Sequence, residues 1–256
     1  MIGVFDSGLG GLSVVRALRE RLPAHDVLYL ADSAFCPYGP RPVDEVRGRS
    51  LACARWLMER GAGLVVVACN TATSAAVELL RAELPVPVVG MEPGIKPAAA
   101  ATRSGQVGVL ATNGTLAGER FARLVERFAE GVAVTTVACP GLVALVEAGE
   151  LDSPRARASV AGYLAPLRER GVDAIVLGCT HFPFLRPLIA ELAGPGVAIV
   201  DTGPAVAAQA ARLARAAALP PGHGALACAT TAAPAGVAPA LARVWGAPLP
   251  LVHAAC

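Results

Sequence analysis

Lysine is almost missing from this chain. Of 22 basic residues only Lys96 is a lysine, and the other 21 are arginine. An enzyme built on pyridoxal phosphate needs a lysine for its Schiff base, and Lys96, in a stretch read as a hinge, is the single residue able to serve. Aromatic residues are also few, at 4%, and the arginines scatter along helical stretches instead of massing on one segment. A nucleic-acid surface of basic stripe and stacking rings is therefore not expected. No apolar run approaches the length that crosses a bilayer. The opening "MIGVFDSG" enters a strand with no charged leader, so we expect a soluble cytoplasmic protein with no membrane partner. None of the seven cysteines forms a C-x-x-C pair, which argues against a zinc site, and their odd number without a leader argues against a disulfide framework. Neither a G-x-S-x-G elbow nor an H-E-x-x-H pair occurs. No metal is expected.

Apolar material is abundant: 54% of the 256 residues are hydrophobic and 16% charged, with a net charge of +2. That is the reverse of a disordered composition. Short apolar strands alternate with amphipathic or alanine-rich helices: "MIGVFD", "DVLYLAD", "GLVVVAC" and "VPVVGM" in one series, then "QVGVLAT", "AVTTVAC", "DAIVLGC" and "VAIVDT" in a second. Such alternation builds parallel sheets covered on both faces. Two sheets are expected, one starting at Met1 and one near Gln106, with "EPGIKP" as the break between them. Helices are read over Val43 to Arg60, "LAGERFARLVERFA", Val143 to Gly149 and Pro154 to Arg170. The tail supplies a helix, a strand "GALACATT" and a last helix.

In open parallel sheets ligands sit beyond the carboxyl ends of the strands. Asp6, Asp32, Cys69, Thr112, Cys139, Cys179 and Asp201 all fall there. Cys69 in "LVVVACNTAT" and Cys179 in "AIVLGCTHFP" occupy equivalent positions, each at a strand end with polar residues directly after it. A following helix N-terminus would stabilise a thiolate at each. Cys53, Cys228 and Cys256 are read as packing residues. One reactive cysteine suggests a nucleophile. Two matched ones suggest proton transfer at a carbon from opposite faces, with sulfurs on the order of 7 Å apart. "FDSGLGGLSV" is a strand, glycine loop and helix whose glycines allow close approach of an anion, but Ser13 breaks the dinucleotide pattern G-x-G-x-x-G. His181, two residues past Cys179, is as fit to be an acid/base helper as a surface histidine. Glu147, by default, is a solvated helix carboxylate.

Taken in order, "IGVFDSGLGGLSV", "ADSAFCPYG", "ACNTAT", "VACPGLVALVEAGEL", "GCTHFPFLRPLI" and "VDTG" resemble the cofactor-independent glutamate racemases. The resemblance implies an α/β fold of two doubly wound parallel-sheet domains related by pseudo-twofold symmetry, with the active site in the cleft between them. The chain would return to complete its first domain, giving residues 1–93 plus 205–256 and a second domain of residues 94–204. It implies interconversion of L- and D-glutamate without metal or pyridoxal phosphate, supplying D-glutamate for peptidoglycan and so for the cell wall and cell shape. Cys69 matches the thiol used on D-glutamate and Cys179 the one used on L-glutamate. Asp6 matches the carboxylate assisting the first and His181 the imidazole assisting the second, with Asp32 and Glu147 as further acids in orientation or proton handling. Asp6, Ser7, Tyr38, Gly39, Asn70, Thr71, Thr112, Thr115, Thr180 and His181 match substrate-binding positions, and a homodimer is expected.

The histidine of "GCTH" favours glutamate over aspartate, whose racemases resemble G-C-T-E there. Phe35 departs from a position where a polar or basic residue is common, and Phe121 from one where a tyrosine is expected. The chain opens one residue before the first motif, so control by a cell-wall precursor, tied in some members to an N-terminal extension, is correspondingly less expected. An aspartate racemase or another thiol-based isomerase of the superfamily is the alternative activity. A non-catalytic two-domain binder of an acidic ligand, and a nicotinamide-dependent enzyme, are the readings from other classes.

Overall fold

The computed structural model describes Met1–Cys256. The first series of elements is β1 (Ile2–Asp6), α1 (Leu12–Arg21), β2 (Val27–Ala31), α2 (Val43–Glu59), β3 (Leu64–Val67), α3 (Asn70–Glu83) and β4 (Val88–Val89). After α4 (Ile95–Ala101) come β5 (Gln106–Ala111), α5 (Asn113–Leu116), α6 (Glu119–Phe128), β6 (Ala133–Ala138), α7 (Pro140–Glu147) and α8 (Pro154–Glu169). The chain continues through β7 (Ala174–Gly178), α9 (Arg186–Ala193), β8 (Ala198–Val200) and α10 (Gly203–Ala216). It ends with β9 (Leu226–Thr230), α11 (Pro234–Trp245) and β10 (Leu251–His253).

The strands form two wholly parallel sheets, one of six in the order β10-β9-β2-β1-β3-β4 and one of four in the order β6-β5-β7-β8. Parallel strands buried on both faces read as near-continuous apolar runs, and β1, β2, β3 and β7 are buried at every residue, with Asp6 at the end of β1 the one charged residue among them. Alternate side chains enter different cores. Ile2, Val4, Val27 and Tyr29 pack with Leu12, Val15 and Leu18 of α1 and with Val206 and Ala210 of α10. Phe5, Leu28, Leu30, Val65 and Val67 pack with Trp56 and Leu57 of α2 and Leu80 of α3. A leucine buried as fully as Leu57 or Leu80 contributes about 2 kcal/mol. The protein is thus an α/β molecule of two domains with helices on both faces of each sheet.

Each sheet has one place where the strand order reverses direction, between β1 and β3 in the first and between β5 and β7 in the second. Such a switch point leaves a crevice beyond the strand ends. The apolar cluster that holds Ile2 and Tyr29 runs through Leu9 to Leu142, Val146 and Phe182 of the second domain, so one side of the contact between domains is a continuous apolar seam.

Several local readings are corrected. Helix α4 starts inside "EPGIKP", because Pro97 sits in its first turn, where a missing N–H costs nothing. Lys96 therefore stands on a helix, its ammonium 5.7 Å from the Phe128 ring centre. The single helix expected over Leu116–Ala129 is two, α5 and α6. They break at Gly118, which is extended and lies so close to Ser74 that a Cβ would come within 2.0 Å of its Oγ. Helix α7 begins at Pro140, with proline in its first turn. Strand β10 was not foreseen: three residues long and largely exposed, it carries no alternation to read.

Candidate active site

The β1/β3 switch point brings Asp6, Ser7 and Cys69 together. Asp6 ends β1, and Cys69 follows β3, its neighbour. Asp6 is fully buried and accepts four hydrogen bonds. Ser7 N at 2.7 Å and Ser7 Oγ at 3.3 Å reach Oδ1, while Gly11 N at 2.6 Å and Thr180 Oγ1 at 3.2 Å reach Oδ2. Burial pushes its carboxyl up, against the positive pull of His181. The Thr180 bond matters because Thr180 belongs to the second domain and is the residue after Cys179.

Cys69 caps α3, its Sγ accepting Ala72 N at 3.4 Å and lying 3.9 Å from Ser7 Oγ. The helix start does favour a thiolate, but the balance goes the other way. Burial and then the charge of Asp6 push the thiol well up, and the charge of Cys179 adds to this. The expectation of a stabilised thiolate at Cys69 is therefore overturned, because one backbone N–H does not offset full desolvation.

The β5/β7 switch point places Thr112 and Cys179. Cys179 is not followed by an α-helix, as expected, but by Thr180, His181 and a 3-10 turn over Phe182–Leu185. Its electrostatic partner is instead His181, whose Nδ1 lies 3.7 Å from the sulfur. His181 is 1% exposed, and its Nε2 lies 2.6 Å from Glu147 Oε1. Burial alone would lower its pKa, but contacts with Cys179, Cys36 and Glu147 outweigh it and raise the imidazole well above its usual range. Glu147, read by default as solvated, ends α7 with 21% of its side chain exposed and also accepts Leu9 N at 2.6 Å.

This explains the glycine loop. A Cβ on Gly10 would lie 2.3 Å from His181 Nδ1, and one on Gly8 would lie 2.2 Å from Glu147 Oε1 and 2.8 Å from Cys36 Sγ. The loop is bare so that the histidine–carboxylate pair of the other domain can press against it, and the group that approaches it beside Gly8 is the carboxylate of Glu147, which accepts Leu9 N.

Around these two centres lie the remaining expected residues. Asp32, fully buried, is gripped by Arg49 through Nε at 2.9 Å and Nη2 at 2.8 Å. It also accepts the hydroxyls of Tyr38 and, at 2.8 Å, Thr231. Its oxygens face Arg49, Tyr38 and Thr231 and not a thiol, and they hold the Tyr38 hydroxyl, which burial keeps protonated. Thr71, Thr112 and Thr115 form a triangle of hydroxyls at 2.9, 3.0 and 3.4 Å, joining the start of α3 to α5. Gly39 packs against Thr112, where a Cβ would lie 3.1 Å from the threonine Cβ. Asn70 is 3% exposed, and neither its Nδ2 nor its Oδ1 has a partner. Two more strand-end residues bond to nearby backbone. Cys139 donates its thiol to Val137 O, and Asp201 accepts Gly203 N at the start of α10.

Sequence reasoning missed Cys36 and Arg49. Cys36 Sγ, Glu147 oxygen and His181 nitrogen lie within 4.8 Å of one another, a spacing a metal ion could use, although the carboxylate oxygen is already shared by His181 and Leu9. The position of Cys36 beside Tyr38 in "FCPYG" was the available signal. Phe35, where a polar residue is common, is covered by the guanidinium groups of Arg49 at 4.0 Å and Arg41 at 5.4 Å. Cys69 and Cys179 are only 5% and 6% exposed. A groove of about 1110 Å³ between α2 and α3 on one side and α5 and α6 on the other reaches inward as far as Gly39 and Thr71, next to Asn70 and Cys69.

Comparison with known proteins gives one answer. A family model described as Asp/Glu/Hydantoin racemase matches residues 2–210. The glutamate racemase of Herpetosiphon aurantiacus is 58% identical over 212 residues, 83% of this chain and 84% of the relative. A glutamate racemase isoform from Bacillus anthracis superposes with a TM-score of 0.89 at 29% identity, over 100% of this chain and 97% of the other. The Escherichia coli glutamate racemase, solved with L-glutamate and an activator, superposes at 0.88 with 33% identity, over 98% of this chain and 96% of that one. The chain belongs to the Asp/Glu/Hydantoin racemase family, among its glutamate racemases.

Proposed function

We propose that this protein interconverts L- and D-glutamate by moving a proton at the α-carbon between two thiols. The observation that carries the reading is the matched placement of Cys69 with Ser7 and Asp6, and of Cys179 with His181 and Glu147, at the switch points of two sheets joined by the Thr180–Asp6 bond.

With L-glutamate, the Cys179 sulfur takes the α-hydrogen as a proton and the C–H electron pair stays on the carbon. The Cys69 thiol then delivers its proton to the opposite face, giving D-glutamate. The upward push on Cys69 suits this direction, since at rest it holds the proton to be delivered. With D-glutamate the roles reverse, and Cys69 must first lose its proton. Asp6, pushed up by burial and linked to Cys69 through Ser7, is a competent acceptor. His181 Nδ1, within reach of Cys179 Sγ, gives or takes the proton on the other side. The α-proton is weakly acidic, so growing negative charge on the substrate carboxylate must be met by fixed donors. Asn70, Thr71 and Thr112 supply them. A buried amide without partners costs about 1–3 kcal/mol, which a bound substrate would relieve at Asn70.

Entry requires opening, because both sulfurs are nearly covered. One side of the interdomain contact is the apolar seam through Leu9 and Phe182, and the other is the threonine triangle at the inner end of the groove. Hydroxyl–hydroxyl bonds exchange readily with water, so the groove side is where the domains part. The division into residues 1–93 plus 205–256 and 94–204 draws support from β9 and β10, which enter the first sheet beside β2. D-glutamate supply for peptidoglycan, a cytoplasmic site and a homodimer are included in the proposal on the family relationship alone.

The test is racemisation of each enantiomer of glutamate and of aspartate, followed by circular dichroism. Glutamate is expected to lose its optical activity from either side while aspartate does not. Turnover of aspartate at a comparable kcat/KM would overturn the substrate assignment.

A further inference from the structure

Arg120, near the start of α6, reaches across the groove to the first domain. Its Nη1 donates to Glu78 of α3 at 2.6 Å, and its Nη2 donates to Glu92, in the segment between β4 and α4. The remaining donor of the guanidinium, Nε–H, is buried and has no partner. Asn70, the first residue of α3, has the matching deficit: a 3% exposed amide with neither end bonded. Both residues line one small cavity of about 10 Å³, which they share with the apolar side chains of Met91, Phe121 and Leu124. Thr73 and Thr115, which also line it, are already bonded, Thr73 to Val67 O and Met91 N and Thr115 within the threonine triangle.

We propose that Arg120 is a positioning residue: through one water held in this cavity it fixes the Asn70 amide, and with it the donor offered to the substrate. The chemistry sets the orientation. Nε–H can only donate, so the water accepts from Nε and donates to the acceptor end of the amide, Oδ1. About 10 Å³ is the room of a single water, and two polar partners are enough to hold one. Such a bridge is nearly as good as a direct hydrogen bond. With Oδ1 engaged, the N–H groups of Nδ2 are left for the substrate carboxylate, whose growing negative charge needs donors. A flipped amide would turn its oxygen on that charge instead.

Arg120 stands on the second domain and Asn70 on the first, so the bridge exists only while the groove is shut. Closure therefore does more than exclude water, because it also completes the donor. The carboxylates keep the guanidinium in place, but with the Glu78 side chain 68% exposed that ion pair adds little stability of its own. The contribution to turnover comes from Nε–H and not from the charge.

The role in turnover rests on the racemase reading, whereas the water bridge does not. A crystal structure at atomic resolution is expected to show one ordered water between Arg120 Nε and Asn70 Oδ1. A water bonded to neither group, or none in the cavity, would overturn the bridge whatever the substrate proves to be. On glutamate, Arg120→Lys keeps a cation for Glu78 and Glu92 but has no Nε–H. Its kcat is expected to fall roughly ten-fold in both directions, with KM and thermal unfolding little changed. Glu78→Gln, which removes one carboxylate and leaves Nε–H, is expected to keep the kcat of the parent. Asn70→Ala should lower kcat as well, and adding Arg120→Lys to it should cost nothing more, because the two act through one contact. Full kcat in Arg120→Lys, or losses that simply multiply in the double variant, would overturn the role of Arg120. A parent protein that does not racemise glutamate would overturn the racemase reading, and with it the role in turnover, but not the water bridge.

Discussion

His181 Nε2 and Glu147 Oε1 lie 2.6 Å apart, and the same carboxylate oxygen accepts the N–H of Leu9 at 2.6 Å. One acid from α7 thus steadies the imidazole beside Cys179 and ties the second domain to the glycine loop of the first. Raised above its usual value, His181 holds its proton in the folded state. The pair contributes stability that is fully present below about pH 6.5 and lost as pH rises through the raised folded value. Replacing Glu147 by glutamine removes the charge and keeps the shape. The alkaline limb of kcat/KM should then move to lower pH and the rate fall on the order of 10²-fold. Because the equilibrium constant of a racemisation is 1, both directions should lose kcat/KM alike. A profile superimposable on that of the parent would show that Glu147 does not act on His181.

Gly10→Ala tests the close approach. Its new Cβ would sit 2.3 Å from His181 Nδ1, too near for the ring to stay in place. We expect thermal stability to fall by about 1–3 kcal/mol and activity to fall far more, because the displaced ring belongs to the proposed proton path. Activity close to that of the parent would mean that the loop yields freely and that His181 is not held by it.

Much of this arrangement was legible in the sequence, for reasons tied to particular residues. Strands such as Leu64–Val67 and Ala174–Gly178 are apolar throughout because they are buried on both faces, so their ends, and Cys69 and Cys179 after them, could be placed. What happens beyond a strand end depends on another part of the chain. Whether Cys69 is a thiol or a thiolate is decided by burial and by Asp6 far away in sequence. Taken by itself Glu147 looked like any helix carboxylate, and only the family resemblance marked it, since folding alone brings it to His181. Arg49 was one arginine among many until α2 aligned it with Asp32.

Arg49→Met leaves the fully buried Asp32 without its cation. Breaking such a pair costs about 3–5 kcal/mol, and the loss is expected in thermal or urea unfolding together with a raised KM as Tyr38 loosens. Arg49→Lys should recover only part, since one ammonium cannot replace the two-pronged contact. Unchanged stability in Arg49→Met would contradict the burial assigned to Asp32.

Lys96→Ala removes the only lysine. Its ammonium lies 5.7 Å from the Phe128 ring centre on an exposed part of α4, worth about 0.5–1 kcal/mol at most. Activity is expected to persist, measured as racemisation without added pyridoxal phosphate. Loss of activity in a folded variant would point to a Schiff base and away from thiols.

Incubation of each glutamate enantiomer in D₂O, with α-deuterium followed by NMR, bears on the pair of sulfurs itself. Early in the reaction deuterium should enter the product enantiomer while the remaining substrate stays protiated, because the group that takes the hydrogen is not the one that delivers it. Cys69→Ser and Cys179→Ser should each abolish net racemisation. Equal labelling of substrate and product from the first turnovers, or racemisation that survives the loss of either sulfur, would contradict two thiols acting from opposite faces.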